Sequence, residues 1–254
     1  MITTESTQKI SNWIRNYAEQ HSIETLVVGV SGGIDSAVTS TLCVESGIPT
    51  ILVSMPIYQD IGQIDRADKH IDQLTASHPT TRAMTINLTH TYGALMNDLP
   101  FGVSEMAVAN TKARLRMTTL YAIAGTYSGI VVGTGNKVED FGVGFFTKYG
   151  DGGVDIAPIA DYYKSEVYEL GKVLNVSQDI LNAPPTDGLW ADGRTDEMQM
   201  GASYEELEWA MQYLDDGPEQ GGLNPREKQV LGIYQDWHNS NHHKMEPIPV
   251  YMRE

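Results

Sequence analysis

The chain has 254 residues, of which 41% are hydrophobic and 20% are charged, a size and composition that predict one globular domain over residues 1–254. No apolar run approaches the roughly 20 residues that cross a bilayer, and the polar N-terminus lacks the order of a signal peptide, so we expect a cytoplasmic protein without membrane contact. The net charge of −16 disfavours a nucleic acid partner, and the single cysteine, Cys43, excludes an intrachain disulfide or a cysteine zinc site.

The first half of the chain alternates between short apolar runs and amphipathic stretches. In chain order the pattern predicts a helix around residues 10–17, a strand at 25–30, a helix at 37–44, a strand at 50–54, a helix at 63–76, a strand at 82–88, a helix at 104–127 and a strand at 129–133. Strands that alternate with helices indicate right-handed crossovers, and therefore an α/β fold with a doubly wound, mostly parallel sheet and helices on both faces. Ligands of such sheets bind beyond the carboxyl ends of the strands.

The C-terminal third is predicted to be helical. Ser203 and Glu206 have the spacing of a capping box, and Asn224 with Pro225 and Glu227 starts a further helix. We expect these two helices to bury Leu207, Ala210, Met211, Leu214, Val230, Tyr234 and Trp237.

The long helix at 104–127 combines an apolar stripe with polar positions. Its expected buried residues are Met106, Ala109, Ala113, Met117, Leu120 and Ala124. Asn110 and Arg114 are four residues apart and therefore share a face, which we place opposite the methionines. Such a face suits an anionic ligand, although a solvated helix surface has the same composition.

The most informative motif is Ser31-Gly32-Gly33-Ile34-Asp35-Ser36, which joins the first strand to the following helix. Glycines let backbone amides approach phosphate oxygens, and the helix directs its unpaired N–H groups and positive dipole end at an anion. A carboxylate would repel phosphate, so we predict that Asp35 holds a magnesium ion. A plain Gly-Gly turn is the alternative interpretation, and the position between strand and helix disfavours it.

This motif resembles the signature of the ATP pyrophosphatases, enzymes that cleave ATP to AMP and pyrophosphate. The motif lacks the lysine of the Gly-Lys-Ser nucleotide loop and the spacing of the dinucleotide turn. The resemblance implies an adenine nucleotide alpha hydrolase-like fold. By itself it indicates cleavage of ATP to AMP and pyrophosphate, but it does not identify the second substrate.

Later segments narrow the resemblance to the ammonia-dependent NAD synthetases. Residues 145–155 read Phe-Phe-Thr-Lys-Tyr-Gly-Asp-Gly-Gly-Val-Asp, which is similar to a specific segment of the bacterial members. The segment at 158–164, Pro184-Pro185-Thr186-Asp187 and the pair His243-Lys244 match the same family in order and approximate spacing. His242 offers an alternative register for that pair.

The resemblance implies a set of ligand contacts. The ATP phosphates would lie against Gly29, Val30, Ser31, Gly32, Gly33, Ile34, Asp35 and Ser36, with Thr134, Lys164 and Thr186 as further ATP contacts. Mg2+ would be bound by Asp35 and Glu139, and deamido-NAD by Arg114, Lys148, Asp155, His243 and Lys244. Lys164 and Asp155 would be catalytic. We interpret Asp140, beside Glu139, as a structural carboxylate.

The implied reaction activates the nicotinate carboxylate of deamido-NAD as an acyl adenylate, which ammonia then converts to the amide of NAD. No side-chain nucleophile is needed for this chemistry. Free ammonia is the expected nitrogen donor, because Cys43 lies in a helix and is a poor candidate for a glutaminase nucleophile. A separate partner glutaminase is the alternative, and the family implies a homodimer.

Three other functions are compatible with parts of the pattern. One is another ATP pyrophosphatase, such as a GMP synthetase core or a tRNA-thiolating enzyme, although the acidity disfavours tRNA. The second is a regulatory module that binds ATP without turnover. The third is an inactive paralogue, which the retained charged residues of every matched motif disfavour.

Overall fold

The computed structural model describes residues 2–186, 188–190, 193–217 and 222–253. In chain order the first elements are α1 (Thr4–Gln20), β1 (Thr25–Gly29), α2 (Ile34–Glu45), β2 (Thr50–Ser54), α3 (Ile61–Ser77), β3 (Thr81–Thr85), α4 (Thr89–Asp98), α5 (Glu105–Thr126) and β4 (Gly129–Val132). A π-helical segment (Val138–Val143) follows, and then α6 (Lys164–Val173), α7 (Gln178–Leu181), α8 (Asp196–Met200), α9 (Tyr204–Asp216) and α10 (Pro225–Met245).

The strands form a parallel sheet in the order β3-β2-β1-β4. The register aligns Leu26 of β1 with Thr50 of β2 and with Ile130 of β4. From β1 the chain adds β2 and β3 on one side and then crosses to add β4 on the other. The carboxyl ends of β1 and β4 therefore flank the point where strand order reverses, which is where such sheets bind ligands.

Both faces of the sheet are covered by helices, as the sequence pattern predicts. Leu26 and Val28 point to a core shared with α1, α2, α3 and α6, whereas Val27 points to a second core shared with α4 and α5. This alternation makes β1 apolar on both sides, as expected for a buried parallel strand. A third core joins the π-helical segment to α9 and α10 and contains Leu207, Met211, Val230 and Tyr234.

Several details differ from the expectations. β3 ends at Thr85 rather than at residue 88, because the chain turns there toward α4, a helix that the polar sequence Thr-His-Thr-Tyr did not predict. Leu214 is exposed, and Trp237 is only partly buried. No helix among the described residues is long and apolar enough to span a membrane.

The expected stripe on α5 is also partly wrong. Ala109, Ala113 and Ala124 are buried, but Met106 is 54% exposed and Met117 and Leu120 are only partly buried. A helical turn of 3.6 residues places positions 106, 110, 113 and 117 on one side, so the polar pair does not lie opposite the methionines. Met106, Asn110, Arg114 and Met117 all line the same cavity.

Candidate active site

The loop of residues 29–36, which we call the phosphate loop, connects β1 to α2 at the reversal point of the sheet. Gly33 is the N-cap of α2 and contributes no side-chain hydrogen bond, so the first N–H groups of the helix stay available to an anion. The Ser36 hydroxyl accepts from the Ser31 amide at 3.1 Å and donates to the Gly33 carbonyl at 3.0 Å. These two bonds fix the curvature of the loop.

Gly32 is required by both its conformation and its packing. Its φ of +83° lies in the left-handed region, and a Cβ there would lie 2.4 Å from the carbonyl oxygen of Gln63 on α3. The phosphate loop is therefore pressed directly against α3, and any side chain at position 32 would force them apart.

A buried ion cluster lies beside the phosphate loop. Lys164, the first residue of α6, is 3% exposed, and its Nζ lies 2.6 Å from Asp35 Oδ2 and 2.9 Å from Glu139 Oε1. Asn136 Nδ2 donates to the other Asp35 oxygen at 3.0 Å, and the Tyr204 hydroxyl donates to Glu139 Oε1 at 2.6 Å. α2, the π-helical segment, α6 and α9 thus each bring one member of the cluster.

Burial and mutual attraction set the charges of this cluster. Burial disfavours the charged Lys164 ammonium, but the Asp35 and Glu139 carboxylates together raise its pKa above the usual value. Burial raises the pKa of Asp35, and Lys164 opposes this only in part. For Glu139, burial is outweighed by Lys164 and by the Tyr204 hydrogen bond, so its pKa is lowered. A lysine cation held by two carboxylates is the resulting state.

The two predicted metal ligands, Asp35 and Glu139, are brought together by this cluster. Within the described part of the chain, no group of three or more His, Cys, Asp or Glu side chains has metal-binding geometry. Two carboxylates completed by phosphate oxygens and water are nevertheless a common ligand set for Mg2+ at nucleotide sites. The pair therefore fits a magnesium ion that arrives with a phosphate ligand.

Four of the residues predicted to hold the dinucleotide also lie together. Arg114 on α5 donates from Nη2 to the carbonyl of Lys148 at 3.3 Å, and Lys148 Nζ donates to the carbonyl of His243 at 2.8 Å. Lys244 Nζ donates to the carbonyl of Phe146 at 2.7 Å and lies 4.9 Å from the centre of its ring. The end of α10 is thereby fastened to residues 144–155, which we call the glycine-rich loop.

The phosphate loop, the ion cluster and this cationic group open on one cavity of about 1140 Å³. Among the described residues, the cations on its wall are Arg66, Arg114, Arg116, Lys148, Lys164, Arg194 and Lys244, and the carboxylates are Asp35, Glu139, Asp140, Asp151 and Asp196. The wall thus carries more positive than negative side chains, although the whole chain has a net charge of −16. Such a cavity suits a large, multiply anionic ligand.

The profile of the NAD synthase family matches residues 6–248 of this sequence. The NH3-dependent NAD+ synthetase of Alkaliphilus metalliredigens is 38% identical in an alignment that covers 95% of this chain and 96% of that protein. The chain belongs to the NAD synthase family. The NH3-dependent NAD+ synthetase of Carboxydothermus hydrogenoformans is also 38% identical, over 80% of this chain and 83% of that protein.

Solved structures agree with the fold. The NMN synthetase of Francisella tularensis superposes with a TM-score of 0.87 at 35% identity, covering 99% of both chains. The NH3-dependent NAD synthetase of Campylobacter jejuni superposes with a TM-score of 0.82 at 23% identity, over 99% of this chain and all of that one. The parallel sheet and the helical C-terminal region are therefore the architecture of NAD synthases.

The remaining residues predicted to contact ATP also lie on the cavity wall of this NAD synthase fold. Thr134 follows β4, and the hydroxyl of Thr186 accepts from the Gly188 amide at 3.2 Å. Asp187, the last residue of the Pro-Pro-Thr-Asp motif, lies outside the described residues.

Asp155, predicted to contact deamido-NAD and to be catalytic, lies beside the sheet and outside the cavity wall. Its carboxylate accepts from the Val131 amide of β4 at 2.7 Å and from the Tyr121 hydroxyl of α5 at 3.1 Å. Burial, followed by the charge of Asp155, raises the pKa of Tyr121 to about 12. Asp155 is exposed and does not belong to the described residues that line the cavity. In the single chain it fastens the end of the glycine-rich loop to the sheet.

Sequence reasoning missed three residues that hold the ion cluster in place, namely Asn136, which donates to Asp35, and two residues of α9. Tyr204 donates to Glu139, and its ring lies 4.7 Å from Lys164 Nζ. Glu208, buried on α9, accepts from the Ser165 amide at 2.8 Å and from its hydroxyl at 2.6 Å, which fixes the first turn of α6. The capping box at Ser203 locates the helix that carries both residues, but no local signal shows that its face meets α6.

The glycine-rich segment after β4 contains a contact that sequence alone does not reveal. A Cβ on Gly135 would lie 2.0 Å from Asp140 Oδ2. The Asp140 carboxylate therefore occupies the space that a side chain at position 135 would need. Burial, with a smaller effect of Glu139, raises the pKa of Asp140 well above its usual value. The interpretation of Asp140 as a structural carboxylate stays a prediction, and this packing supports it.

Proposed function

We propose that this NAD synthase amidates the nicotinate carboxylate of deamido-NAD with ammonia, consuming ATP and releasing NAD, AMP and pyrophosphate. The observation that carries this proposal is a single cavity in which a helix N-terminus suited to phosphate faces a separate group of cations. One end of the cavity suits the triphosphate of ATP, and the other suits a second anionic nucleotide. The relatives named as NH3-dependent NAD+ synthetases support the choice of reaction and of ammonia as nitrogen donor.

The chemistry requires positioning more than a protein nucleophile. A carboxylate oxygen is a poor leaving group, so the nicotinate carboxylate first attacks the α-phosphorus of ATP and expels pyrophosphate into the phosphate loop. Ammonia then attacks the acyl adenylate and expels AMP. The backbone amides at the start of α2 and the Lys164 ammonium stabilise the negative charge that develops on the phosphates.

Asp35 and Glu139 would hold the Mg2+ ion that ATP brings with it. The ion would supply neutralisation of phosphate charge. Thr134 and Thr186, which also line the cavity, would contact ATP as well. Lys164 lies between the two carboxylates and would keep them in place before the nucleotide binds.

Arg114, Lys148, His243 and Lys244 would hold the phosphates of deamido-NAD. The contacts among them support this role, since Lys148 donates to the backbone of His243 and Arg114 donates to the backbone of Lys148. Asp155 would orient or deprotonate ammonium. Its exposure outside the cavity of one chain supports a homodimer in which deamido-NAD binds near the subunit interface.

A second candidate is the same amidation on nicotinate mononucleotide. The structure of the Francisella tularensis NMN synthetase favours it, because that protein covers 99% of this chain at 35% identity. The mononucleotide has the same reacting carboxylate but lacks the AMP half of deamido-NAD. The two functions therefore differ in how much of the cavity the acceptor fills, and the phosphate loop serves both.

The deciding experiment measures AMP formation from Mg-ATP and ammonium chloride with deamido-NAD, with nicotinate mononucleotide and with neither, while chromatography detects NAD and NMN. We expect AMP and NAD in equal amounts only when deamido-NAD is present. Equal AMP and NMN, with a larger kcat/KM for the mononucleotide, would support the second candidate. AMP without either amide would indicate that the chain has another ATP pyrophosphatase activity. No AMP under any condition would favour an ATP-binding module.

A matched nitrogen control uses the same assay. Glutamine in place of ammonium chloride should give no amide, because we propose free ammonia as the donor. Light scattering on the purified protein tests the homodimer. A monomer that retains full activity would contradict the role assigned to the subunit interface.

A further inference from the structure

The phosphate loop has less free positive charge than its role demands. Lys164 is the lysine nearest to the loop, and it is already shared between Asp35 and Glu139. The motif itself contains no lysine or arginine. Pyrophosphate leaves with several negative charges, and helix N-terminal amides carry only partial charge. A further cation within reach of the loop would therefore strengthen pyrophosphate binding.

Arg66 on α3 is in contact with this loop. Its Nε donates to the carbonyl of Gly32 at 3.2 Å, and its Cβ lies 3.3 Å from the Cβ position built on Gly32. The side chain is partly buried and lines the cavity. Within the described part of the chain, the Arg66 guanidinium makes this hydrogen bond and no ion pair.

The guanidinium group suits this position. Its five N–H donors lie in a rigid plane, and planar pairs of donors match the oxygens of a phosphate. The bond from Nε to Gly32 fixes the plane at the edge of the phosphate loop and leaves the two terminal nitrogens for another acceptor. The tight packing of Gly32 against Gln63 keeps α3 and the loop in a fixed relation, so the cation is positioned before any ligand binds.

We propose that Arg66 binds the β- and γ-phosphates of ATP and retains them as pyrophosphate when the adenylate forms. This inference rests on the proposed function, because it concerns the leaving group of that reaction. Arg66 would supply the full positive charge that Lys164, held by two carboxylates, does not. It would act on the phosphate oxygens directly and take no part in proton transfer.

The variant that isolates the charge is Arg66→Gln. The amide nitrogen of glutamine is the same number of bonds from Cβ as arginine Nε, so the variant keeps a donor for Gly32 and loses the cation. Lys69→Gln is the matched control, because Lys69 lies one turn further along α3 in an exposed pair with Asp65. Both variants remove one positive charge from the same helix.

The measurement is titration of Mg2+-pyrophosphate into the free protein by calorimetry, together with the melting temperature. We expect Arg66→Gln to bind pyrophosphate about 10- to 100-fold more weakly, the loss typical of a charge-assisted hydrogen bond, with its melting temperature nearly unchanged. Lys69→Gln should differ by less than about twofold, since exposed charges are screened by salt. Arg66→Lys, which keeps the charge but not the planar donors, should give an intermediate affinity.

Three results would overturn the proposal. These are an affinity of Arg66→Gln within about twofold of the wild type, an equal loss in Lys69→Gln, and a wild-type protein that does not bind pyrophosphate. If Arg66→Gln fails to fold, Arg66→Lys becomes the test variant. The proposal is then refuted if Arg66→Lys binds pyrophosphate with the affinity of the wild type and with the same dependence on salt. Because the titration requires no turnover, it is independent of the AMP assay that tests the proposed function.

Discussion

Replacing Lys164 with methionine would leave two largely buried carboxylates, each less than one fifth exposed, without the cation that they share. Nζ lies 2.6 Å from Asp35 and 2.9 Å from Glu139, and the lysine side chain is 3% exposed. Methionine has nearly the same length and fills the same volume, so the change removes charge with little loss of packing. The prediction is that the variant folds with markedly lower stability.

The magnitude follows from the burial of the pair. Removing one partner of a buried ion pair costs about 3–5 kcal/mol, because the remaining charge keeps its desolvation penalty. For a chain of this size, about 1 kcal/mol lowers the melting temperature by roughly 2–4 °C, so the expected decrease is about 6–20 °C. Without the lysine, burial would hold the pKa of both carboxylates above their unfolded values. The deficit should therefore be larger at pH 8 than at pH 5, where protonation removes the charge.

The assay is urea unfolding followed by circular dichroism at pH 8 and pH 5. Lys172→Met is the control, because Lys172 lies on the same helix in an exposed pair with Glu169, and its effect should be close to zero. The triple variant Lys164→Met, Asp35→Asn, Glu139→Gln removes all three charges and should recover part of the loss. A Lys164→Met protein as stable as Lys172→Met, or a triple variant no more stable than the single one, would refute the reasoning.

Two further predictions concern the loop after β4 and the core behind the phosphate loop. Gly135→Ala should lower the rate of AMP formation by about 100-fold, because its Cβ would lie 2.0 Å from Asp140 Oδ2 and must displace the loop. Gly232→Ala, where a Cβ meets nothing within 4 Å, should leave the rate unchanged. Burial lowers the pKa of His70 from 6.5 to about 4. Between these two pH values the unfolded state therefore binds more protons than the folded state, and acid lowers the stability. Wild-type stability, measured by urea unfolding, should fall by about 2 kcal/mol more than that of His70→Gln between pH 7 and pH 5, and an equal fall would contradict the shift.

The sheet could be predicted from the sequence because its signals are local. The strand at residues 25–30 is continuous in apolar character, and only a strand covered on both faces needs that composition. β3 and α4 were predicted less well, since β3 lies at the edge of the sheet, where three of its five side chains are exposed. The error on α5 has another cause. Methionines at positions 106 and 117 resemble core residues in the sequence, but they line a cavity in the structure.

The site was predictable only where its residues belong to a contiguous motif. The phosphate loop could be located from its own residues, because strand, glycines and helix follow one another. Lys164 and Asp35 are 129 residues apart, and no local pattern states that they meet. The family resemblance implied separate roles for them, Asp35 as a Mg2+ ligand and Lys164 as an ATP contact, and it did not predict their ion pair. Tyr204 and Glu208, which hold that pair in place, belong to none of the matched motifs and became visible only in three dimensions.

Net charge and site charge describe different parts of this molecule. The value of −16 disfavours a polyanionic partner on the outer surface. Yet seven of the 17 lysines and arginines line one cavity, together with the N-terminus of α2. Because charges beyond about 10 Å are screened in salt, a bound nucleotide experiences the cations of the wall rather than the acidic exterior. The proposed binding of two anionic nucleotides is therefore compatible with an acidic protein, because its few cations are concentrated in one cavity.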